Sequence, residues 1–379
     1  MNPVDNYPQG HWQVGDLKFI NKYQAMLHAS QTGGSLQYMF FDSVWRNFDR
    51  SLLNKFSLQE LYKQRAQQLR DSYDYLVLYF SGGADSYNVL RSFVDNGIHL
   101  DEVCVKWCKD TIDSGIYTPN TVTDSAFNYL SEWDYAIKPV LAWLGQHHPN
   151  IKIEVVDWFK DRLLIGKEEI FNIVNHWHDV EVTSLAVWSP NELKMIDQGK
   201  TVGSIYGIDK PKTYLENDNW YMYFTDAGAG MGTPAPYNIS GTEYFYWTPN
   251  FPILVYEMAN SIIKEVKINP KLRDITFVPE LKNNLAKSQL FWQEQQKLHR
   301  HILYDNWTDL FQAYKPMALD RSDKHWWLYK YDELSKFKDG YQDMINLHAQ
   351  QLDSRFCNTD SKSTMYKHNN TFKYFVVTD

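Results

Sequence analysis

The segment Ser81–Ser86 (SGGADS) combines residue types that together suit the binding of phosphate groups. Its glycines let the backbone approach an anion closely, and its serines add hydroxyl donors. If a helix begins here, its unsatisfied N-terminal N–H groups and the positive end of its dipole attract the same anion. Asp85 is negative, so it is better suited to holding a Mg²⁺ that bridges phosphate oxygens than to contacting phosphate itself.

A second candidate group is Gly207–Pro211 (GIDKP). We expect Lys210 to offset the negative charge that develops on phosphate in a transition state, and Asp209 to act as a second metal ligand. The alternative is a charged surface turn before a proline. We favour the functional interpretation because the group follows an apolar strand, and open α/β sheets bind ligands at the carboxyl ends of their strands.

Alternating strand and helix patterns surround both groups. The run Tyr75–Phe80 is continuously apolar, as in a parallel strand buried on both faces, and the predicted helix Ser86–Asn96 follows it and ends at Gly97. Further strands are predicted at Glu102–Trp107, Ile151–Val156 and Thr201–Ile208, with helices at Ala126–His147, at Lys167–Trp177 and after Pro190. This order predicts an α/β fold with a parallel sheet and helices on both faces.

With an apolar strand before it and a helix after it, Ser81–Ser86 resembles the signature of the PP-loop (N-type) ATP pyrophosphatases, a superfamily of adenine nucleotide alpha hydrolase-like proteins. It is not a Walker A loop, because the Gly-Lys-Ser/Thr ending is absent. The resemblance covers about Asp74–Asp209 and implies a Rossmann-like sheet of the HUP type, with ATP and Mg²⁺ as cofactors. The residues expected to bind the nucleotide are Ser81, Gly82, Gly83, Ala84, Asp85 and Ser86.

The same resemblance points to Trp107, because in that superfamily the end of the second strand meets adenine. A place in the core is an equally good interpretation of this tryptophan. The candidates for catalysis are Asp85 and Lys210, and the candidates for binding the metal are Asp85 and Asp209.

In the PP-loop superfamily the loop holds the leaving pyrophosphate while the α-phosphate passes to a substrate oxygen. The resemblance therefore implies an ATP-dependent ligase that adenylates a carboxylate or amide-type oxygen, after which a nitrogen nucleophile displaces AMP. The chain departs from glutamine-using asparagine synthetases, because Asn2 and not a cysteine follows Met1. Free ammonia, an amine or a partner protein would then supply the nitrogen, and the substrate is a small molecule or a nucleobase.

Two alternatives stay open. One is a sulfonucleotide enzyme of the PAPS-reductase type, for which Cys357 is the only candidate catalytic cysteine. Cys104 lies within a predicted strand, where a cysteine is more often a small core residue, and no Cys-x-x-Cys pair exists that would support persulfide chemistry. The other is a non-catalytic module that binds a nucleotide.

The chain divides into three predicted parts: an α+β extension (1–73), the nucleotide-binding core (74–210), and a region with a hairpin, a glycine-rich loop and mainly helices (211–379). The hairpin is predicted at Thr213–Asp226, and Ala227–Pro236 is a candidate lid. The aromatic run Glu243–Pro252 either forms a platform for a planar substrate or packs helices onto the sheet, and we favour packing. With its helix Arg65–Arg70, the wider sequence resembles phage-encoded, asparagine-synthase-like PP-loop proteins.

Composition limits the remaining classes of function. The formal net charge of −8 gives no support to nucleic-acid binding, and three cysteines without a Cys-x-x-Cys pair form neither a disulfide framework nor a four-ligand zinc site. The histidine pairs lack the spacing that would put both rings on one helix face. The polar first residues predict no signal peptide, and no apolar run of about 20 residues predicts a membrane span. We expect a cytoplasmic protein, in the host cytoplasm if it is phage-encoded, and a homo-oligomer stays open.

Overall fold

The computed structural model describes residues 10–20, 22–107, 133–157, 188–208, 210–225, 241–269, 300–304, 346, 350–356 and 372–378. Its central feature is a five-stranded sheet whose paired strands all run parallel. In spatial order the strands are β10 (Thr242–Tyr244), β7 (Val202–Tyr206), β4 (Tyr75–Tyr79), β5 (Glu102–Trp107) and β6 (Lys152–Asp157). This is a Rossmann-like α/β arrangement, as the sequence predicted.

The strand order brings the carboxyl end of β4 to the point where the chain changes direction across the sheet. From β4 the chain adds β5 and β6 on one side, and it then returns to add β7 and β10 on the other side. In doubly wound sheets such a reversal leaves a crevice outside the carboxyl ends of the strands, where ligands bind. The loop after β4 therefore lies at the site that this fold class offers to ligands.

Helices connect the strands of the parallel sheet. They are α4 (Ala84–Val94) after β4, α5 (Lys138–His147) before β6, and α6 (Pro190–Asp197) before β7. One turn of π-helix, Trp133–Ile137, leads into α5. Because crossovers between parallel strands are right-handed, the reversal at β4 puts α4 and α5 on one face of the sheet and α6 on the other.

Helix α3 (Leu58–Ser72) precedes β4 and has a well-defined start. The Ser57 hydroxyl accepts a hydrogen bond from the Glu60 N–H at 3.2 Å, and the Glu60 carboxylate accepts one from the Ser57 N–H at 2.8 Å. This capping box satisfies donors that would otherwise lack a partner at the helix N-terminus. The sequence predicts this start from Ser57, whose hydroxyl suits an N-cap before a helical run to about Ser72, and the structure confirms it.

Two smaller antiparallel sheets flank the parallel one. The first joins β2 (Leu17–Phe19), β1 (His11–Val14) and β3 (Leu36–Met39), and helices α1 (Lys22–Thr32) and α2 (Asp42–Arg46) adjoin it in the chain. The second joins β11 (Phe372–Thr378), β9 (Asn219–Thr225) and β8 (Lys212–Glu216). Helix α7 (Pro252–Ile268) contacts α3, β8 and β11, so it connects the second sheet to the core.

Most predicted elements within the described residues are confirmed, including the hairpin β8–β9. Helix α4 begins at Ala84, two residues before the predicted start, because Gly83 is its N-cap. It ends at Val94, two residues before the predicted end. Strands β1, β2 and β10 were not predicted. Strand β10 comes from beyond residue 210 and adds a fifth strand to the four that the sequence indicated.

Several predictions concern residues that lie outside the described ones and stay predictions. They are the helix Lys167–Trp177, the first part of the helix predicted at 126–147, the loop Ala227–Pro236, and residues 280–299 of a helical stretch that the sequence predicts at Glu280–Tyr304. Beyond residue 210 the structure describes β8 to β11, α7 and a helical stretch at 300–303. None of the helices in the described part of the chain combines the length and apolar character that a membrane crossing requires.

Candidate functional site

Two glycines shape the turn between β4 and α4, which we call the glycine loop (Ser81–Ser86). Gly82 has φ +77°, a conformation that a residue with a Cβ rarely adopts. A Cβ on Gly82 would also lie 2.7 Å from Cγ1 of Ile137, in the turn before α5. Gly83 then caps α4, and no side chain of the described residues caps this helix end. The N–H groups of the first turn of α4 are therefore available to an anion.

The two serines hold the glycine loop together. The Ser81 and Ser86 hydroxyl oxygens are 3.1 Å apart, and the Ser86 hydroxyl donates to the Gly83 carbonyl at 3.1 Å. The Ser86 hydroxyl also accepts from the Ser81 N–H at 3.3 Å. Ser86 is buried while Ser81 is exposed. The buried Ser86 therefore stabilises the loop, and Ser81 is the serine that is accessible to solvent.

The structure brings together Asp85 and Lys210, which lie far apart in the sequence. The Lys210 Nζ lies 3.2 Å from both carboxylate oxygens of Asp85. The Lys210 side chain is only 6% exposed, whereas that of Asp85 is 25% exposed. A buried ammonium and a carboxylate that still reaches solvent therefore lie side by side at the start of α4. Asp209 lies outside the described residues, so its predicted role as a metal ligand stays a prediction.

Two tyrosines, which the sequence analysis did not identify, also contact Asp85. The hydroxyl of Tyr304 donates a short hydrogen bond to Oδ1 of Asp85, and the hydroxyl of Tyr246 donates to its backbone carbonyl at 2.9 Å. Burial, and then the negative charge of Asp85, raises the pKa of Tyr304 well above its ordinary value. Tyr304 therefore stays protonated and remains a donor at neutral pH. No local pattern in the sequence indicates this contact, because 219 residues separate the two partners.

Gly207 allows β7 to approach the glycine loop closely. A Cβ at this position would lie 2.9 Å from both the Cα and the N of Ser86, and 3.0 Å from the carbonyl carbon of Asp85. These are backbone atoms, which cannot rotate out of the way. Gly207 thus sets the spacing between the end of β7 and the start of α4, and so places Lys210 near Asp85.

The remaining candidates within the described residues, Trp107 and Cys104, are buried in the core. Trp107 is almost completely buried at the end of β5, with its ring 5.5 Å from that of Trp133. Its expected contact with adenine stays a prediction. Cys104 is buried and free, and burial raises the pKa of its thiol far above the ordinary value, so it is a poor source of thiolate. Cys108 and Cys357 lie outside the described residues.

The aromatic residues of the run Glu243–Pro252 pack in the core or, for Phe251, against it, which agrees with the favoured interpretation of this run. Arg65 of α3 is buried, and its guanidinium donates to the backbone carbonyls of Tyr244 and Phe245 and to the Glu243 carboxylate. The Trp247 ring lies 5.2 Å from that of Trp45 in α2. The run therefore joins the edge strand β10 to α3 and to the first flanking sheet.

A buried polar cluster lies on the face of the sheet that α6 covers. Glu192 of α6 accepts hydrogen bonds from the hydroxyls of Tyr79 and Ser204, and Glu102 of β5 accepts from those of Tyr75 and Ser189. Burial raises the pKa of both carboxyls, and the hydrogen bonds offset this only in part. The cluster attaches the N-terminus of α6 to the sheet behind the glycine loop.

Comparisons of the chain with family models, with curated proteins and with solved structures each gave no significant match. Among the described residues no group of three or more His, Cys, Asp and Glu side chains is arranged to hold a metal ion. Asp85 nevertheless fits Mg²⁺, because this ion is usually held by one or two carboxylates together with substrate phosphates and water.

Proposed function

We propose that this chain is an ATP pyrophosphatase of the PP-loop type, which adenylates an oxygen of its substrate and releases pyrophosphate. The observation that carries the proposal is the Asp85–Lys210 pair at the start of α4, directly after the glycine loop. Because this pair lies where the strand order reverses, it occupies the place at which doubly wound sheets bind ligands. A carboxylate and an ammonium at a helix N-terminus suit a phosphate chain that arrives with a divalent cation.

Each group has a role in the proposed reaction. The N–H groups of the first turn of α4 and the Ser81 hydroxyl bind the pyrophosphate portion of ATP. Asp85 would hold Mg²⁺, which supplies charge neutralisation on the phosphate oxygens. Lys210, already buried beside Asp85, stabilises the negative charge that grows on the phosphates as pyrophosphate leaves.

The proposed reaction has two steps. First, a carboxylate or amide-type oxygen of the substrate attacks the α-phosphorus, the bond from this phosphorus to the bridging oxygen breaks, and pyrophosphate leaves with the bond electrons. Second, a nitrogen nucleophile attacks the carbon that bears the adenylated oxygen and loses a proton, and the bond from this carbon to that oxygen breaks, so that AMP leaves with the oxygen and the bond electrons. The contribution of the protein is to fix the phosphates in line with the attacking oxygen and to stabilise their charge.

The products of ATP cleavage test this proposal. The purified chain is incubated with ATP, Mg²⁺, ammonium and a panel of carboxylates and nucleosides, and the nucleotides are separated by ion-exchange chromatography. We expect AMP and pyrophosphate, and we expect Asp85→Asn to lower their formation by about 100-fold or more. Asp95→Asn is the matched control, because Asp95 follows the same helix and pairs with Arg91.

Four outcomes would contradict the proposal. Formation of ADP and phosphate would place the cleavage at the wrong bond. An Asp85→Asn variant with unchanged AMP formation would remove the role of Asp85. Binding of ATP without turnover on any acceptor would favour the non-catalytic module, and loss of turnover of a sulfonucleotide on Cys357→Ser would favour the reductase.

A further inference from the structure

Two tyrosines from the region after residue 210 hold Asp85 from two sides. Tyr304 donates to its carboxylate and Tyr246 donates to its backbone carbonyl. The Tyr246 hydroxyl in turn accepts from the Asn88 side-chain amide at 3.0 Å, which ties it to the next turn of α4. Both the side chain and the backbone of Asp85 are therefore fixed by phenol groups that the glycine loop does not supply.

The segment that carries Tyr304 is itself anchored to the core. The hydroxyl of Tyr62 in α3 donates to the Leu303 carbonyl at 2.9 Å. The Tyr304 ring lies 6.4 Å from the ring of Tyr62 and 6.3 Å from that of Tyr246. Tyr304 is 2% exposed, so its hydroxyl is confined by packing and cannot easily turn to another acceptor.

The two oxygens of the Asp85 carboxylate have different surroundings. Lys210 approaches both, but among the described residues only Oδ1 accepts the phenol. A hydrogen bond between a phenol and an ionised carboxylate is strong and directional, so it fixes the rotation of the carboxylate about its Cβ–Cγ bond. Such a contact acts on a metal ligand in the same way as the outer partners of metal-binding carboxylates, which orient the ligand.

We propose that Tyr304 is a positioning residue for Asp85, and that it makes binding of a magnesium-complexed polyphosphate at the glycine loop depend on the 300–304 segment. This inference rests on the proposed function, since it assigns Asp85 to the metal. It adds that the site is incomplete without a residue from the region that follows the nucleotide-binding core. That region then contributes to phosphate binding in addition to any contact with the acceptor.

Isothermal titration calorimetry with magnesium pyrophosphate, at several Mg²⁺ concentrations, tests the inference without requiring turnover. We expect Tyr304→Phe to weaken the Mg²⁺-dependent affinity by about 10-fold, the lower end of the effect of removing a partner of a metal ligand. Tyr256→Phe is the matched control, because it also removes the hydroxyl of a buried tyrosine. That hydroxyl donates to the backbone carbonyl of Trp45 and not to Asp85. We expect its affinity to stay within about twofold of the wild type.

Calorimetry separates positioning from folding, because loss of folded protein lowers the number of binding sites and loss of positioning lowers the affinity. We expect Tyr304→Phe to have no further effect in an Asp85→Asn background, as for two residues that act through one contact. Unchanged affinity of Tyr304→Phe, or an equal loss in the Asp85→Asn background, would overturn the inference while leaving the proposed function intact. If the wild-type chain does not bind magnesium pyrophosphate, the proposed function fails, and the inference fails with it.

Discussion

The ammonium of Lys210 lies 3.2 Å from each carboxylate oxygen of Asp85, although 125 residues separate the two in the chain. The Lys210 side chain is only 6% exposed, so removing the Asp85 carboxylate would leave a buried ammonium without this charge partner. The pair therefore links the position after β7 to the start of α4, and it places opposite charges at the carboxyl edge of the sheet. Under the proposed function, Lys210 stabilises the charge of the incoming phosphate and Asp85 holds its cation.

Replacing Lys210 by methionine should separate the contribution of the pair to stability from its contribution to activity. Removal of one partner of a buried pair costs about 3–5 kcal/mol, and we expect about 1–2 kcal/mol here because Asp85 is partly exposed. Urea unfolding measures this loss, and AMP formation should fall by about 100-fold. The double variant Asp85→Asn, Lys210→Met should recover stability without recovering activity. If Lys210→Met and the double variant were destabilised equally, Lys210 and Asp85 would not stabilise the fold as a pair.

Gly207→Ala should disturb the contact between β7 and α4. The added Cβ would lie 2.9 Å from backbone atoms of Ser86, so one of the two elements must shift. We expect a loss of about 1–3 kcal/mol in the free energy of unfolding, together with weaker binding of magnesium pyrophosphate. Gly145→Ala in α5 is the control, because the nearest atom to its Cβ is 3.8 Å away and alanine favours a helix. A Gly207→Ala variant as stable as Gly145→Ala would show that the two elements tolerate wider spacing.

Gly82→Ala should lower the free energy of unfolding by more than the strain of its backbone conformation alone. Gly199 has nearly the same φ, +76° against +77° for Gly82, but a Cβ at Gly199 would have no neighbour within 4 Å. Gly199→Ala therefore measures the conformational strain alone, about 1–2 kcal/mol. We expect Gly82→Ala to exceed this value in urea unfolding, because its Cβ would meet Ile137, and to lose pyrophosphate binding as well. Equal losses for the two variants would mean that Ile137 gives way freely.

Stability should depend on pH through Glu192. Because burial raises the pKa of its carboxyl in the folded state, its contribution to stability is fully present below the unfolded value of about 4.5 and is lost as pH rises through the raised folded value. In urea titrations the free energy of unfolding of the wild type should therefore fall, relative to that of Glu192→Gln, as pH rises above about 4.5. A difference that does not change with pH would mean that Glu192 is equally ionised in both states.

Glu60 provides a control of opposite sign for this pH dependence. Its hydrogen bonds with Ser57 lower its pKa in the folded state, so its contribution is present above the unfolded value and is lost as pH falls. The advantage of the wild type over Glu60→Gln should accordingly shrink toward low pH. Both series use the same replacement of glutamate by glutamine, so their opposite slopes isolate the effect of environment.

The sequence by itself determined the local elements and the position of the loop. Continuous apolar character predicted β4, and Ser57 predicted the start of α3 as its N-cap, because these signals act between residues that are close in the chain. The glycines and serines of Ser81–Ser86 likewise identified the turn at the carboxyl end of β4. Lys210 was found through its position after a predicted strand, and the structure places it beside Asp85.

Only the tertiary structure decided what surrounds Asp85. The short strand β10 is recognisable through its parallel pairing with β7, and Tyr304 through a contact across 219 residues, so neither leaves a periodic signal in the chain. Gly207 appears in the sequence as one more loop glycine, and its role follows from the backbone atoms of Ser86 that lie against it. Such contacts arise from the close packing of distant segments, which depends on the shape of the whole core and cannot be inferred from the spacing of residues along the chain.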